Sequence, residues 1–205
     1  MTGPVQFAGP DGATPFDAED LEGLIPTWVA TGDDLNAAEQ ANIAKAFVWL
    51  ASKSGPHSLE ALMTEKMMKR LHKQMFGEVW GWAGKYRHHN TNIGTNWLYI
   101  QTELSAHLAN VLVQIGNGDS LPWSLDELAI RFHHRLVLIH PFPNGNGRHS
   151  RLVADLLIEQ LGQASFTWGT QDLSASGVAR KVYLDALRHA DKTDDFGPLV
   201  AFARS

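Results

Sequence analysis

The sequence predicts an all-α fold, a helical bundle carrying one small β-hairpin. Three observations lead there. Apolar residues recur at helical spacing on both sides of a short loop: Leu125, Leu128, Phe132 and Leu136 before it, then Leu152, Val153, Leu156, Leu157 and Leu161 after it. Cap signals bound these runs, with Ser124 and Glu127 spaced as a capping box and Gly162 where a C-terminal cap is expected. A turn-rich stretch followed by an alternating aromatic and β-branched run occurs once, at Gly94-Thr95-Asn96 followed by Trp97-Leu98-Tyr99-Ile100, and predicts the hairpin.

Taken in order, residues 1–31 are dense in breakers (Pro4, Gly9-Pro10, Asp11-Gly12, Thr14-Pro15, Pro26) and read as an arm that docks on the body through Phe16 and Trp28, with a short helix near 17–24. Residues 32–205 form the helical domain. A first long helix runs from Asp33-Asp34 to about Ser52, burying Leu35, Ile43, Phe47 and Leu50. After the Ser54-Gly55-Pro56 turn, Ser58 caps a second, through about Met75, with Leu59, Leu62, Met63, Met67 and Leu71 inward. Trp80 and Trp82 are core anchors, Gly84 permits a tight bend, and Arg87 is read as structural in preference to ligand-facing. Helices at 103–115 and from Ser124 follow, the latter ending near Ile139-His140 because Pro141 biases its predecessor out of the helical region. Beyond Gly162, residues 166–172 read as a short extended segment or loop. A helix then starts at Ser174 or Ser176, and a last one spans 194–203 with Pro198 near its start.

At 205 residues, the chain is one domain, or one domain with an arm. A net charge of −5 argues against a nucleic-acid-binding surface, so no direct nucleic-acid partner is expected. The chain has no cysteine, which excludes disulfides and thiolate metal sites. It shows no basic, apolar leader at the N-terminus and no run of the roughly 18 apolar residues that spans a bilayer. The expectation is a cytoplasmic protein without a membrane partner.

One stretch exceeds what helix packing needs: His140 to Arg151, H-P-F-P-N-G-N-G-R-H-S-R. Gly145 and Gly147 let a ligand approach the backbone, and N–H groups at the start of the following helix favour an anion. Arg148 and Arg151, three residues apart, share a helix face and lean back toward the loop, where guanidinium forks match phosphate oxygens. His140, at the end of the preceding helix, is placed to accept a proton. A dinucleotide fingerprint is excluded, because the third glycine is missing and a helix precedes the loop. A phosphate-cradling loop of the Gly-Lys-Ser/Thr type is excluded by its missing lysine. A metal hydrolase built on His133, His134, His140 and His149 is disfavoured, since adjacent helical residues diverge by about 100° and no H-E-x-x-H accompanies them.

These twelve residues resemble the signature of the Fic (filamentation induced by cAMP) domain family, H-x-F-x-[DE]-G-N-G-R-x-x-R. His140, Phe142, Gly145, Asn146, Gly147, Arg148 and Arg151 match it, while Asn144 stands where the family has Asp or Glu. The run Trp82-Ala83-Gly84 with Arg87 is similar to the family's stretch ahead of its flap. Length and opening look most like the subgroup called "mobile mystery protein B". The resemblance implies a Fic-like bundle and a protein nucleotidyltransferase of the AMPylation type. In that reading His140 is the base, and Asn144, Gly145, Asn146, Gly147, Arg148 and Arg151 bind the phosphates of ATP or another NTP. The implied flap for the target segment comprises Gly94, Thr95, Asn96, Trp97, Leu98 and Tyr99.

The implied cofactor is Mg²⁺ or Mn²⁺ with the nucleotide, met weakly by Asn144, whose amide oxygen lacks the charge a hard cation prefers. Three outcomes follow from Asn144: weak metal binding with low AMP transfer, a different phosphate donor, or a nucleotide- or partner-binding module without catalysis. The implied partners are a target protein presenting a Ser, Thr or Tyr hydroxyl and, as in a toxin–antitoxin pair, a small helix-turn-helix protein that restrains the enzyme. Family members also carry a restraining glutamate in the pattern [ST]-x-x-x-E-[GN]. No clean copy occurs here, and Glu39 is read as a surface residue.

Overall fold

A computed structural model describes residue 15 and residues 18–52, 55–170, 173 and 177–205. Among the described residues the chain forms α-helices and short 3-10 turns with no strand. The α-helices are α1 (Ala18–Glu22), α2 (Gly32–Leu50), α3 (Leu59–Leu62), α4 (Glu65–Phe76), α5 (Ile100–Gly116), α6 (Leu125–Ile139), α7 (Asn146–Gln160), α8 (Val178–Thr193) and α9 (Gly197–Ala203).

α6 and α7 form the centre, packed along one another and joined by residues 140–145. α6 buries Leu128, Ala129, Ile130, Phe132, His133, His134, Leu136 and Ile139, which face nearly all round the helix. Such a helix is surrounded by its neighbours. α5 packs on α6, α2 on α4, α8 on α9, and α3 and α4 also reach α7. Ser124 Oγ accepts from the N–H of Glu127 at 3.1 Å, whereas the Glu127 carboxylate pairs forward with Arg131 at 2.8 Å, so half of the expected capping box forms. Gly162 ends α7 in the left-handed region, at φ 80°.

The expected hairpin does not form. Asn96 Oδ1 accepts from the N–H of Leu98, and this cap turns Trp97–Tyr99 into a 3-10 turn that runs straight into α5. Upstream, the Arg87 guanidinium takes the carbonyls of His89 and Thr95. Those carbonyls are thus withheld from any strand partner.

The single helix expected over 58–75 is two. Met63 leaves helical geometry at ψ 48°, and Thr64 recaps the chain by accepting from the N–H of Met67. α2 is also rotated relative to expectation, burying Leu35, Ala38, Glu39, Asn42 and Ala46 while Phe47 is 54% exposed. Polar residues hold that face: Asn42 donates to the Gln74 carbonyl and accepts from the N–H of Glu78.

Residues 18–25 lie against the body through backbone bonds. Ile25 N–H donates to Val79 O, Gly81 N–H to Gly23 O, and Trp82 Nε1 to Asp20 O. Trp28, expected to anchor this segment, is 60% exposed, and Phe16 lies outside the described residues. Ser174 and Ser176 also lie outside them, and α8 is described from Val178.

Candidate active site

His140 is the C-cap of α6, in the left-handed region at φ 52° and ψ 60°. A non-glycine residue there costs roughly 1–3 kcal/mol and persists only where its surroundings fix it. Arg87 does the fixing. Its Nε donates to the His140 carbonyl at 2.6 Å, its backbone N–H donates to the Pro141 carbonyl at 3.0 Å, and the same guanidinium holds His89 and Thr95. Arg87 is buried, as the structural reading of it required. A Cβ added to Gly94 would lie 2.7 Å from His140 Cβ, so Gly94 is laid directly against the histidine.

The imidazole of His140 is 5% exposed, and burial pushes its pKa down to about 4 against the upward pull of the Val137 carbonyl. At neutral pH the ring is uncharged. Nδ1 lies 3.3 Å from Val137 O, which assigns the ring proton to Nδ1 and leaves Nε2 as the basic nitrogen.

The loop is built on two side chains. Asn146 is buried, its Oδ1 accepting from the N–H of Phe142 at 2.9 Å and its Nδ2 donating to Phe142 O at 2.7 Å. Its amide therefore staples the turn; toward a ligand Asn146 has its backbone N–H to offer. Fully buried His72 is the second. Its Nδ1 accepts from the N–H of Gly84, so its Nε2 carries the proton and donates to Asn144 O at 3.0 Å. The ring stacks on Phe142 at 3.8 Å. Gly145 sits at φ 77°, and a Cβ there would meet the Phe76 ring at 2.7 Å. Both facts demand glycine.

α7 starts at Asn146, and its first main-chain bond is from His149 N–H to Gly145 O. The N–H groups of Asn146, Gly147 and Arg148 precede that bond, at the positive end of the helix dipole. Arg148 Nη1 is 2.7 Å from Glu39 Oε2, with the guanidinium over the Phe76 ring. Arg151 lies over the Tyr183 ring at 5.3 Å. Asn144 turns its Oδ1 onto the N–H of Gly145 at 2.6 Å.

Glu39 corrects a sequence expectation. It is 3% exposed, and Trp80 Nε1 donates to its Oε1 at 2.7 Å. The reading as a surface residue failed because it placed Phe47 on the buried face of α2. Of the expected flap set, Gly94 and the Thr95 carbonyl lie beside His140 and Arg87, while Trp97, Leu98 and Tyr99 are 39%, 62% and 58% exposed. The four histidines weighed as metal ligands diverge: His133 goes to Tyr183, His134 to Asp191, and His149 to Met68 O. No cluster of three or more His, Asp or Glu suited to a metal occurs among the described residues. Nor is any described helix long and apolar enough to cross a membrane. His72 and Tyr183 were invisible in the sequence, where each reads as ordinary helix content.

The model of the Fic/DOC family matches residues 62–158. The chain is 30% identical over 149 residues to "Probable protein adenylyltransferase y4lH" of Sinorhizobium fredii, a match covering 66% of this chain and 69% of that protein. It is 26% identical over 119 residues to "Protein adenylyltransferase VbhT" of Bartonella schoenbuchensis, covering 56% of this chain but only 25% of that protein. Among solved structures, the N-terminal Fic domain of a VirB-translocated Bep effector protein from Bartonella quintana superimposes with a TM-score of 0.66 at 14% identity. That superposition covers 100% of this chain and 91% of the other, and shows a shared fold.

Proposed function

Because this chain belongs to the Fic/DOC family, we propose that it is a protein adenylyltransferase, moving AMP from ATP to a side-chain hydroxyl of a target protein. The observation that carries this reading is one juxtaposition. A neutral, buried histidine held in a strained cap stands at one end of a six-residue loop, and the N-terminus of α7, with two arginines in its first two turns, stands at the other.

In the proposed step, a hydroxyl laid against residues 89–95 attacks the α-phosphorus of ATP. The new bond joins the hydroxyl oxygen to phosphorus, the bond from that phosphorus to the bridging oxygen breaks, and pyrophosphate leaves. The hydroxyl proton goes to Nε2 of His140. A base with a pKa near 4 is weak, but a polyphosphate drawn in beside it would raise that value by favouring the imidazolium. The free N–H groups at the start of α7 meet the charge growing on the phosphoryl oxygens, and Arg148 and Arg151 hold the rest of the phosphate chain.

The family chemistry implies Mg²⁺, and the residues present fit it poorly. Asn144 brings no charge, and its Oδ1 accepts from the N–H of Gly145. Mg²⁺ sites of this kind usually combine one or two carboxylates with the substrate phosphates. The cation therefore enters, in this proposal, with the nucleotide, and no step is assigned to it.

The test is incubation of the purified protein and its His140→Ala and Asn144→Asp variants, in cell lysate, with ATP, GTP, CTP and UTP labelled at the α-phosphate. Label transferred by the wild type and lost in His140→Ala supports the reading and names the donor. Transfer by Asn144→Asp alone would mean that Asn144 disables the site. No label with any variant would sink the proposal in favour of a binding module.

A further inference from the structure

The second arginine of the loop–helix unit does not stand alone. Tyr183, on α8, is 5% exposed, and the Arg151 guanidinium lies over its phenol ring, 5.3 Å from the centroid. Behind it, His133 Nε2 is 3.0 Å from the Tyr183 hydroxyl, a buried hydrogen bond that fixes the ring. On the other side, one turn along α7, Asp155 Oδ1 accepts from Trp168 Nε1 at 2.9 Å and from the N–H of Phe166. Burial raises Asp155 to about 7, and Arg151 pulls against that shift. The Trp168 ring closes the circuit by packing on His133 at 4.8 Å. Tyr183 and Trp168 both lie beyond the residues matched by the family model.

We propose that Tyr183, braced by His133, is a positioning residue that holds the Arg151 guanidinium in the posture needed to grip the phosphate chain of the donor. The proposal rests on the nucleotide-binding reading of the 144–151 unit. Its physical content is the entropy of a long side chain. An arginine free to explore its rotamers loses that freedom on binding, whereas one already laid over a buried, fixed ring loses less of it. α8 thus becomes part of the phosphate site without touching the nucleotide.

The experiment is calorimetric titration of the full chain with ATP and, separately, with adenosine, which has no phosphates. Tyr183→Leu removes the ring under the guanidinium, whereas Tyr183→Phe keeps it and deletes only the bond to His133; Asp155→Asn keeps the acceptor for Trp168 and deletes the charge. Tyr183→Leu is expected to weaken ATP by about tenfold, and Tyr183→Phe and Asp155→Asn by smaller factors. None should move adenosine by more than about twofold. In an Arg151→Ala background, Tyr183→Leu should have no further effect, because the residue it acts through is gone.

Three results would overturn the proposal. One is ATP affinity unchanged in Tyr183→Leu while Arg151→Ala weakens it; the phosphate reading would survive that. Another is a Tyr183→Leu loss that persists in full without Arg151, or that extends equally to adenosine. Absence of ATP binding by the wild type would remove both this inference and the reading it rests on.

Discussion

Glu39 Oε2 lies 2.7 Å from Arg148 Nη1, while the other oxygen of the same carboxylate takes the indole N–H of Trp80. A residue of α2 thereby reaches the first arginine of α7 across α4, whose Phe76 ring lies under the guanidinium. The carboxylate is nearly inaccessible and the arginine partly exposed, so the pair is asymmetric in its dependence on water. Removing the base, which leaves a buried carboxylate without its counter-charge, should cost more than removing the acid.

Glu39→Ala is expected to destabilise the fold by about 3 kcal/mol, since it strands the Trp80 N–H and leaves Arg148 without its buried partner. Glu39→Gln, which keeps an acceptor for Trp80, should cost about half as much. Urea unfolding of the three proteins checks the order. Equal stability of all three would show the pair to be energetically idle.

Arg87 gives a second prediction. Arg87→Lys keeps the charge but offers one nitrogen where three are used, on the carbonyls of His140, His89 and Thr95. A loss of about 2–4 kcal/mol is expected, with faster amide hydrogen exchange concentrated in residues 88–96. Exchange that stays slow in that segment would show it to be held by something else.

A methyl group at Gly145 faces both a positive φ and the Phe76 ring at 2.7 Å. Gly145→Ala should therefore destabilise by about 2–4 kcal/mol and weaken ATP binding, because the N-terminus of α7 must shift. Gly116→Ala, at an ordinary helical position with open space around it, is the control and should be neutral or stabilising.

Four buried histidines and half-buried His107 govern the pH response. Burial lowers His107, His140 and His149 to about 4, His133 to about 3, and His72 well below its ordinary value. Between pH 6.5 and about 4, the unfolded chain binds protons that these rings refuse in the fold, so stability falls as pH falls through that window. Each ring contributes up to about 1.4 kcal/mol per pH unit. Asp155, raised to about 7, acts in the opposite direction, but it is one group against five. Thermal melts from pH 7.5 to 5 should drop steeply below pH 6.5; a flat profile would contradict the burial of these rings.

Most of the helical frame was legible because α6 and α7 carry regular apolar stripes and clear end signals. Legibility ended where polar groups replaced apolar ones inside. α2 buries Glu39 and Asn42, so a stripe drawn through Leu35, Ile43 and Phe47 pointed its inner face the wrong way. Similarly, Trp97-Leu98-Tyr99 has the composition of a strand, but the Asn96 cap and the Arg87 clamp, one local and one distant, wind it into a helical turn. In the site, His140 and the glycines were legible from residue type and spacing. The amide of Asn146 was not, since nothing in a sequence says that its two ends close on Phe142. Tyr183 was hidden for a simpler reason: its relation to Arg151 exists only once α8 has folded against α7.

Arg87 grips residues 89–95 by main-chain oxygens alone, and it grips His140 in the same way. The exposed side chain of Ile93 in this segment, and those of the Trp97-Leu98-Tyr99 run that follows it, take no part in the clamp. Substitution in this segment is therefore constrained at Gly94, pressed against His140, and at Asn90 and Thr95, whose side chains bond Trp97 N–H and Glu103, more than at Ile93. The outer surface of this segment can thus change while the backbone of His140 beneath it stays in register.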